Sequence, residues 1–400
     1  MERVQILQTE SVAVAGIIKF MNLAAVLFLV AAAFVLYTLF GYPLLLGIMA
    51  RRERPVRRKF EPKSVSILLP VRNGEAWICA KLESILDLNY PSELLEILVI
   101  SDGSTDRTES FAREFESRGV QVFSIPRSGK ATALNTLMEH AHGELLFFTD
   151  VRQKLDHEAL RNLVACFGDP EVGVASGELV ILDSSGHEDA NVGLYWQYEK
   201  ALRKRLSRID SLPGATGCIY AMRRALAGPL PAGCLLDDVH LPMQAFFAGY
   251  RLVLDESAKA FDVATTLDTE FRRKVRTQAG MYQILFAFPK LLGPGNRMWF
   301  HFMSHKVARL LLPFAILIAT ISGFFLTGYW ALAVLAGETV IYGLALFDPW
   351  LPRSIRRLSL PVRTFVILML ATLFASSILI LPASRFWSSA TGGTVNSKAV

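Results

Sequence analysis

The sequence predicts an α/β domain built on a parallel sheet and framed by membrane-spanning helices on both sides. Three observations carry that prediction. From Val65 to Thr149, short apolar runs of strand length alternate with helical patterns. Two of those runs end in a carboxylate, Asp102 and Asp150, at the edge where open α/β sheets hold their ligands. Hydrophobic residues make up 52% of the 400 residues, and the excess lies at the two ends of the chain.

After an N-terminal segment (1–21), residues 22–50 carry no charge and are long enough to span a bilayer. Leu310–Phe347 holds one charge, Glu338, and the Thr327-Gly328 break divides it into spans at 306–327 and 329–347. The uncharged run Thr364–Leu381 predicts a last span at 362–382, before a polar tail at 383–400. Arg51, Arg52, Arg54, Arg57, Arg58 and Lys59 crowd the linker at 51–63, and Arg353, Arg356, Arg357 and Arg363 the loop around 348–361. By the positive-inside rule both are cytoplasmic, which predicts a multi-pass protein of the cytoplasmic (inner) membrane with its large region in the cytoplasm. The first apolar run is too long, and its basic cluster on the wrong side, for a cleaved signal peptide. The net charge of +6 is largely these anchors, so the expected partner is anionic lipid and not nucleic acid. Cys79, Cys166, Cys218 and Cys234 show no metal-ligand spacing and read as reduced structural thiols.

Residues 64–285 are ample for one large α/β domain. Strands are expected at Val65–Pro70, Leu95–Ser101, Val120–Ile125 and Leu145–Thr149, with helices from the Arg72–Glu75 turn to about Leu86 and over Lys130–His140. Asp102-Gly-Ser-Thr-Asp106 suits backbone amides approaching a nucleotide, with Asp106 as the cap of the following helix. Asp150 either caps the next turn or faces a ligand; taken alone, it reads equally well both ways. Tyr195–Arg208 is a helix dense in Lys200, Arg203, Lys204, Arg205 and Arg208, expected as a solvated or headgroup-facing side. Asp183–Ala190, with His187, reads as a polar connection or lid, and Tyr282–Phe302 as an aromatic-rich interfacial helix, placed at 286–305.

Val65-Ser-Ile-Leu-Leu-Pro-Val-Arg-Asn-Gly-Glu75, Ile100-Ser-Asp-Gly-Ser-Thr-Asp106, Gly129-Lys-Ala-Thr-Ala-Leu-Asn135 and Phe148-Thr-Asp150 together resemble the family 2 glycosyltransferases. The flanking spans make the chain similar to the cellulose synthase and hyaluronan synthase branch. The resemblance implies the GT-A nucleotide-sugar-binding fold. It puts Asp102 at the uracil or ribose of a UDP-sugar, with Pro70, Arg72 and Glu75 around the base and Lys130 by the nucleotide. Lys130 also reads as a solvated lysine at a helix start. Asp150 corresponds to the first acid of a metal-binding Asp-x-Asp, implying magnesium or manganese, but the second position is Arg152, which cannot ligate a cation. Either Asp150 holds the metal with diphosphate and water, or Arg152 replaces part of its charge.

In the second half, Gly214, Thr216 and Gly217 lie in a small-residue segment resembling the donor–acceptor junction. Leu236-Asp237-Asp238 resembles the acidic pair that supplies the general base. Asp238 is the implied base, with Asp237 orienting it, or both cap the helix that starts there. The Gln-x-x-Arg-Trp box of processive members reads Arg273-Lys-Val-Arg-Thr277, leaving Arg276 to meet the departing diphosphate. The expectation is an inverting transferase acting on a lipid-linked or growing saccharide, alone or with partners of a polysaccharide assembly. The alternative is a catalytically weak subunit that binds a nucleotide-sugar or glycan. A nicotinamide-dependent enzyme is disfavoured, since the Arg72–Glu75 turn lacks the Gly-x-Gly-x-x-Gly fingerprint.

Overall fold

The computed structural model describes residues 21–182, 194–263 and 267–386. The expected loop at Asp183–Ala190, with His187, lies outside the described residues. The chain forms two compact units, one of Met1–Gly47 with Phe300–Ala375 and one of Ile48–Trp299 with Ser376–Val400.

The larger unit is built on one eight-stranded sheet. In chain order its elements are β1 (Val65–Val71), α1 (Ile78–Leu86), β2 (Leu95–Asp102), α2 (Thr108–Arg113), β3 (Val120–Ile125), α3 (Lys130–His140), β4 (Leu145–Thr149), β5 (Lys154–Leu155) and α4 (Ala159–Cys166). These are followed by β6 (Val172–Leu182), α5 (Leu194–Ile209), β7 (Ile219–Arg223), α6 (Asp237–Phe247), β8 (Arg251–Val263) and α7 (Leu267–Ala287). The strand order is β3-β2-β1-β4-β7-β6-β8-β5. β1 and β4 are apolar but for Ser66 and Thr149 because helices cover both faces, and Ile67, Leu69, Leu145 and Phe147 are fully buried in the core. Each such side chain contributes about 1.5–3 kcal/mol.

β1, β2, β3 and β4 run parallel, with Val65 opposite both Leu95 and Leu145. Their C-terminal ends therefore open on one edge, which brings Val71, Asp102 and Thr149 to the same side. The sheet is mixed, not parallel throughout as the strand–helix alternation suggested. β7 enters from the C-terminal end of β4, with Ile219 opposite Thr149, and runs back antiparallel to β4 and β6. The small-residue segment before β7 is thereby delivered beside Asp150.

The basic run of α5 is an exposed face laced with ion pairs, except at Arg203. Lys200 meets Glu178 at 2.5 Å, Lys204 meets Glu256 at 2.8 Å, Arg208 meets Glu53 at 2.8 Å, and Arg203 turns inward. Asp210, just past this helix, clamps both ends of the domain: Arg54 Nη1 and Arg297 Nε each donate to it at 2.7 Å.

Among the described residues, four helices are long and apolar enough to cross a membrane: Met21–Met49, Trp299–Gly323, Tyr329–Trp350 and Ser354–Leu379. The expected separate helix at 286–305 is not one element. Past α7 a short 3-10 turn covers Pro289–Leu292, and the helix that begins at Trp299 continues to Gly323. Helical hydrogen bonding there runs through the aromatic stretch, although its hydropathy changes along the way. Similarly, the last long helix starts at Ser354, within the basic loop and ahead of the expected 362. Within the smaller unit, Tyr37 Oη and Ser304 Oγ are 2.7 Å apart, and the buried Asp348 accepts from Ser359 at 2.5 Å and Arg363 at 3.1 Å.

Candidate active site

Two loops at the sheet edge are stitched together residue by residue. Asn73, at φ 49°, accepts from Thr105 N at 2.9 Å, a left-handed position that asparagine tolerates. Gly74 N donates to Thr108 Oγ1 at 2.7 Å and Glu75 N to Asp106 Oδ2 at 3.1 Å. Asp106 also accepts from Thr108 N at 3.1 Å, the cap expected from the sequence. Glu75 is engaged by the backbone and guanidinium of Arg107, which hold its carboxyl below the usual range. Glu75 thus locks the β1 turn to the β2 loop. Pro70, at the end of β1, is partly exposed beside that turn, and Arg72 keeps a buried Nε with no hydrogen-bond partner.

Asp102 ends β2 at the edge of the sheet. It is 6% exposed, and its carboxylate accepts from Ser128 N at 2.6 Å and Gly129 N at 3.0 Å. Those two amides immediately precede α3, so Asp102 fixes the backbone that presents Lys130. Lys130 in turn is no solvated helix-end lysine. Its Nζ lies 3.0 Å from Asp150 Oδ1 and 3.1 Å from Asp237 Oδ2. Burial works against its charge, but Asp150 and Asp237 outweigh that and hold its pKa above the usual lysine value.

Asp150 itself is carried on a braced turn. Thr149 Oγ1 donates to Cys218 O at 2.9 Å, tying β4 to the segment before β7. From beneath, Lys81 Nζ donates to Thr149 Oγ1 at 2.6 Å and Gln153 O at 2.7 Å. Lys81 is 1% exposed, and burial pushes its pKa down to about 7. Arg152 pairs with a carboxylate from β8. Its Nη2 donates to the buried Asp262 of β8 at 2.5 Å, beside Gln153 Nε2 at 2.7 Å. The guanidinium is shared with a buried carboxylate at the end of another strand, and its Nε is buried without a hydrogen-bond partner.

The acceptor-junction residues converge on Asp238. Ala215 N donates to Asp238 O at 2.8 Å, and Thr216 N and Oγ1 bond to Ser176 Oγ and Gly177 O, both at 2.8 Å. Arg203 Nη2 reaches Thr216 Oγ1 at 3.1 Å. At Gly217 an added Cβ would lie 2.9 Å from Asp238 Oδ2, so only glycine lets the carboxylate approach this closely. Gly214 lies at the start of the same segment, against Val239. Burial and then the adjacent Asp237 push the pKa of Asp238 up to about 6, with Lys130 and Arg276 pulling the other way. Arg276 of α7 thus acts on Asp238 electrostatically. The structure therefore brings Lys130, Asp150, Asp237, Asp238, Arg276 and the 214–217 segment together, while Glu75 and Arg152 are held by other partners.

Sequence reasoning missed Lys81, Asp262, Arg203 and Tyr220. Lys81 left a signal, because it falls among Ile78, Leu82 and Ile85 on the buried stripe of α1. Tyr220 stacks on Phe148 at 4.5 Å, and its buried hydroxyl has no partner beside the acidic cluster.

Oxygen ligands suit a divalent cation of the magnesium or manganese type, which keeps waters and takes phosphate oxygens. Asp150 and Asp237 offer two carboxylates already drawn to one positive point. No donor makes a well-directed hydrogen bond to the buried Asp237 Oδ2, although Lys130 Nζ is 3.1 Å away. Among the described residues no three ligand side chains converge. The residues fit a cation that shares its coordination with the substrate's phosphates.

The profile of glycosyl transferase family 2 matches residues 66–228, a stretch running from β1 past β7. The probable glycosyltransferase YdaM of Bacillus subtilis is 24% identical over 251 residues, 57% of this chain and 57% of that protein. The N-acetylglucosaminyltransferase of Rhizobium meliloti is 25% identical over 303 residues, 70% of each. Among solved structures, the mannosyltransferase PcManGT from Pyrobaculum calidifontis, in complex with GDP-Man and Mn2+, superposes with a TM-score of 0.69 at 24% identity. That likeness covers 88% of this chain and 99% of the other, and the fold is of the GT-A type.

Proposed function

We propose that the chain is an inverting, membrane-bound glycosyltransferase of the cellulose synthase and hyaluronan synthase-like branch, with its catalytic domain on the cytoplasmic side. It moves a sugar from a UDP-sugar to a lipid-linked or growing saccharide. The observation that carries this reading is Asp238: a carboxylate with a raised pKa, pressed on Gly217 and grouped with Asp150, Asp237, Lys130 and Arg276.

Inversion requires the acceptor hydroxyl to attack C1 from the face opposite the diphosphate while a base takes its proton. Asp238 takes the proton, Asp237 keeps the pair oriented, and the C1–oxygen bonding electrons leave with the diphosphate toward Arg276. Asp102 acts on the donor side by fixing the Ser128–Lys130 backbone, and Pro70 and Arg72 line the base pocket. A divalent cation held by Asp150 and Asp237, when bound, neutralises charge on the departing diphosphate. The Arg273–Thr277 stretch, which lacks the tryptophan of processive enzymes, favours addition of a single sugar.

The test is nucleotide release by the detergent-purified full chain across UDP-sugars and GDP-mannose, with magnesium, manganese or chelator. GDP-mannose belongs in the panel because a fold neighbour was solved with it. Asp238→Asn is expected to lower kcat by about 10²-fold or more, with donor KM nearly unchanged. Full activity in that variant removes the base assignment.

A further inference from the structure

Lys130 occupies the place a cation would take, since its ammonium bridges Asp150 and Asp237 at 3.0 and 3.1 Å. The protein offers little else at that point. The position of a second Asp-x-Asp acid is Arg152, which is turned to Asp262, and among the described residues no third ligand side chain joins the two carboxylates. A divalent ion and an ammonium cannot share the same two oxygens, because their like charges repel strongly at that range in a partly buried site.

The geometry also lets Lys130 move. Its backbone is anchored through Asp102, which holds the Ser128 and Gly129 amides, whereas the side chain is a point charge on a flexible four-carbon stem. Gly129, at φ 90°, has no atom within 4 Å of where a Cβ would lie, so space is open at the start of α3.

We infer that Lys130 is a built-in counter-cation that competes with the divalent ion for Asp150 and Asp237, so that metal binds firmly only together with the nucleotide-sugar. On donor arrival the ammonium moves to the diphosphate, and the two carboxylates are released to the metal. The inference rests on the reading of Asp150 as the cation's ligand.

The test measures binding of manganese alone to the full chain in detergent, by the electron paramagnetic resonance signal of the free ion, without nucleotide or turnover. Lys130→Met is expected to bind manganese at least about tenfold more tightly than the natural protein, a difference of about 1.4 kcal/mol. Lys130→Arg, which keeps the charge and serves as the folding comparison, is expected to bind as weakly as the natural protein. Adding Asp150→Asn to Lys130→Met is expected to abolish the gain. Equal affinity in the natural protein and Lys130→Met, binding in neither, or a gain in Lys130→Arg equal to that in Lys130→Met would each overturn the inference. None of these results depends on sugar transfer, so a silent donor panel would refute the transferase reading and leave the binding result standing.

Discussion

Gly217→Ala tests the placement of the base with one methyl group. The new Cβ would lie 2.9 Å from Asp238 Oδ2, 3.3 Å from its Cγ and 3.4 Å from its Cβ. Carbon contacts are comfortable at about 3.5–4.0 Å, so the carboxylate must retreat by roughly half an ångström. Gly217 is not among the positive-φ glycines, so the substitution costs space and not backbone strain. Asp238 cannot yield by moving its backbone, because its carbonyl is held by Ala215 N at 2.8 Å. Misplacement by 1 Å costs about 10²-fold in rate, which makes roughly tenfold the expected loss in kcat. The stability cost should be near the low end of overpacking, about 1 kcal/mol. The assay compares kcat and donor KM with the unfolding midpoint, using Gly295→Ala as a control, since nothing lies within 4 Å of its Cβ position. An unchanged kcat in a folded Gly217→Ala protein would refute the argument, as would a loss confined to donor KM.

Two further outcomes follow from the same geometry. A base whose pKa is raised to about 6 is charged only above that pH, so kcat should rise tenfold per pH unit below about 6 and level off above it. The slope should vanish from the residual activity of Asp238→Asn, and a profile flat from pH 5 to 8 would contradict the role. Arg152→Ala strips the guanidinium from Asp262, whose side chain is 2% exposed and keeps Gln153 Nε2 at 2.7 Å and Val263 N at 2.8 Å. Because those bonds remain, the loss should be about 2–3 kcal/mol, below the usual cost of breaking a buried pair, and visible as a lower unfolding midpoint. An unchanged midpoint would mean the pair does not hold β8 to the turn after β4.

Local pattern made much of the first half legible. The runs Val120–Ile125 and Leu145–Thr149 are observed with those bounds, as is the helix Lys130–His140, because apolar period and turn residues decide such elements within a few neighbours. The second half resisted for a physical reason. β6, β7 and β8 draw their order from pairing across long separations, and nothing in the Ile219–Arg223 sequence says that it runs antiparallel to β4. Basic residues of α5 look alike in sequence, yet Arg203 turns to Thr216 while Lys204 pairs with Glu256 on the surface.

By itself the sequence determined the chemical inventory: acids at strand ends, a lysine after a glycine at a helix start, an acidic pair at another, and apolar runs of membrane-spanning length. Those are properties of residue type and spacing. Only the tertiary structure decided which charges meet. Lys130 and Asp237 are 107 positions apart in the chain, and a charge placed at a strand end takes whichever partner the sheet order delivers. The same order gave Arg152 to Asp262 and brought Gly217 against Asp238, because the path of β7 beside β4 fixes which loops share an edge.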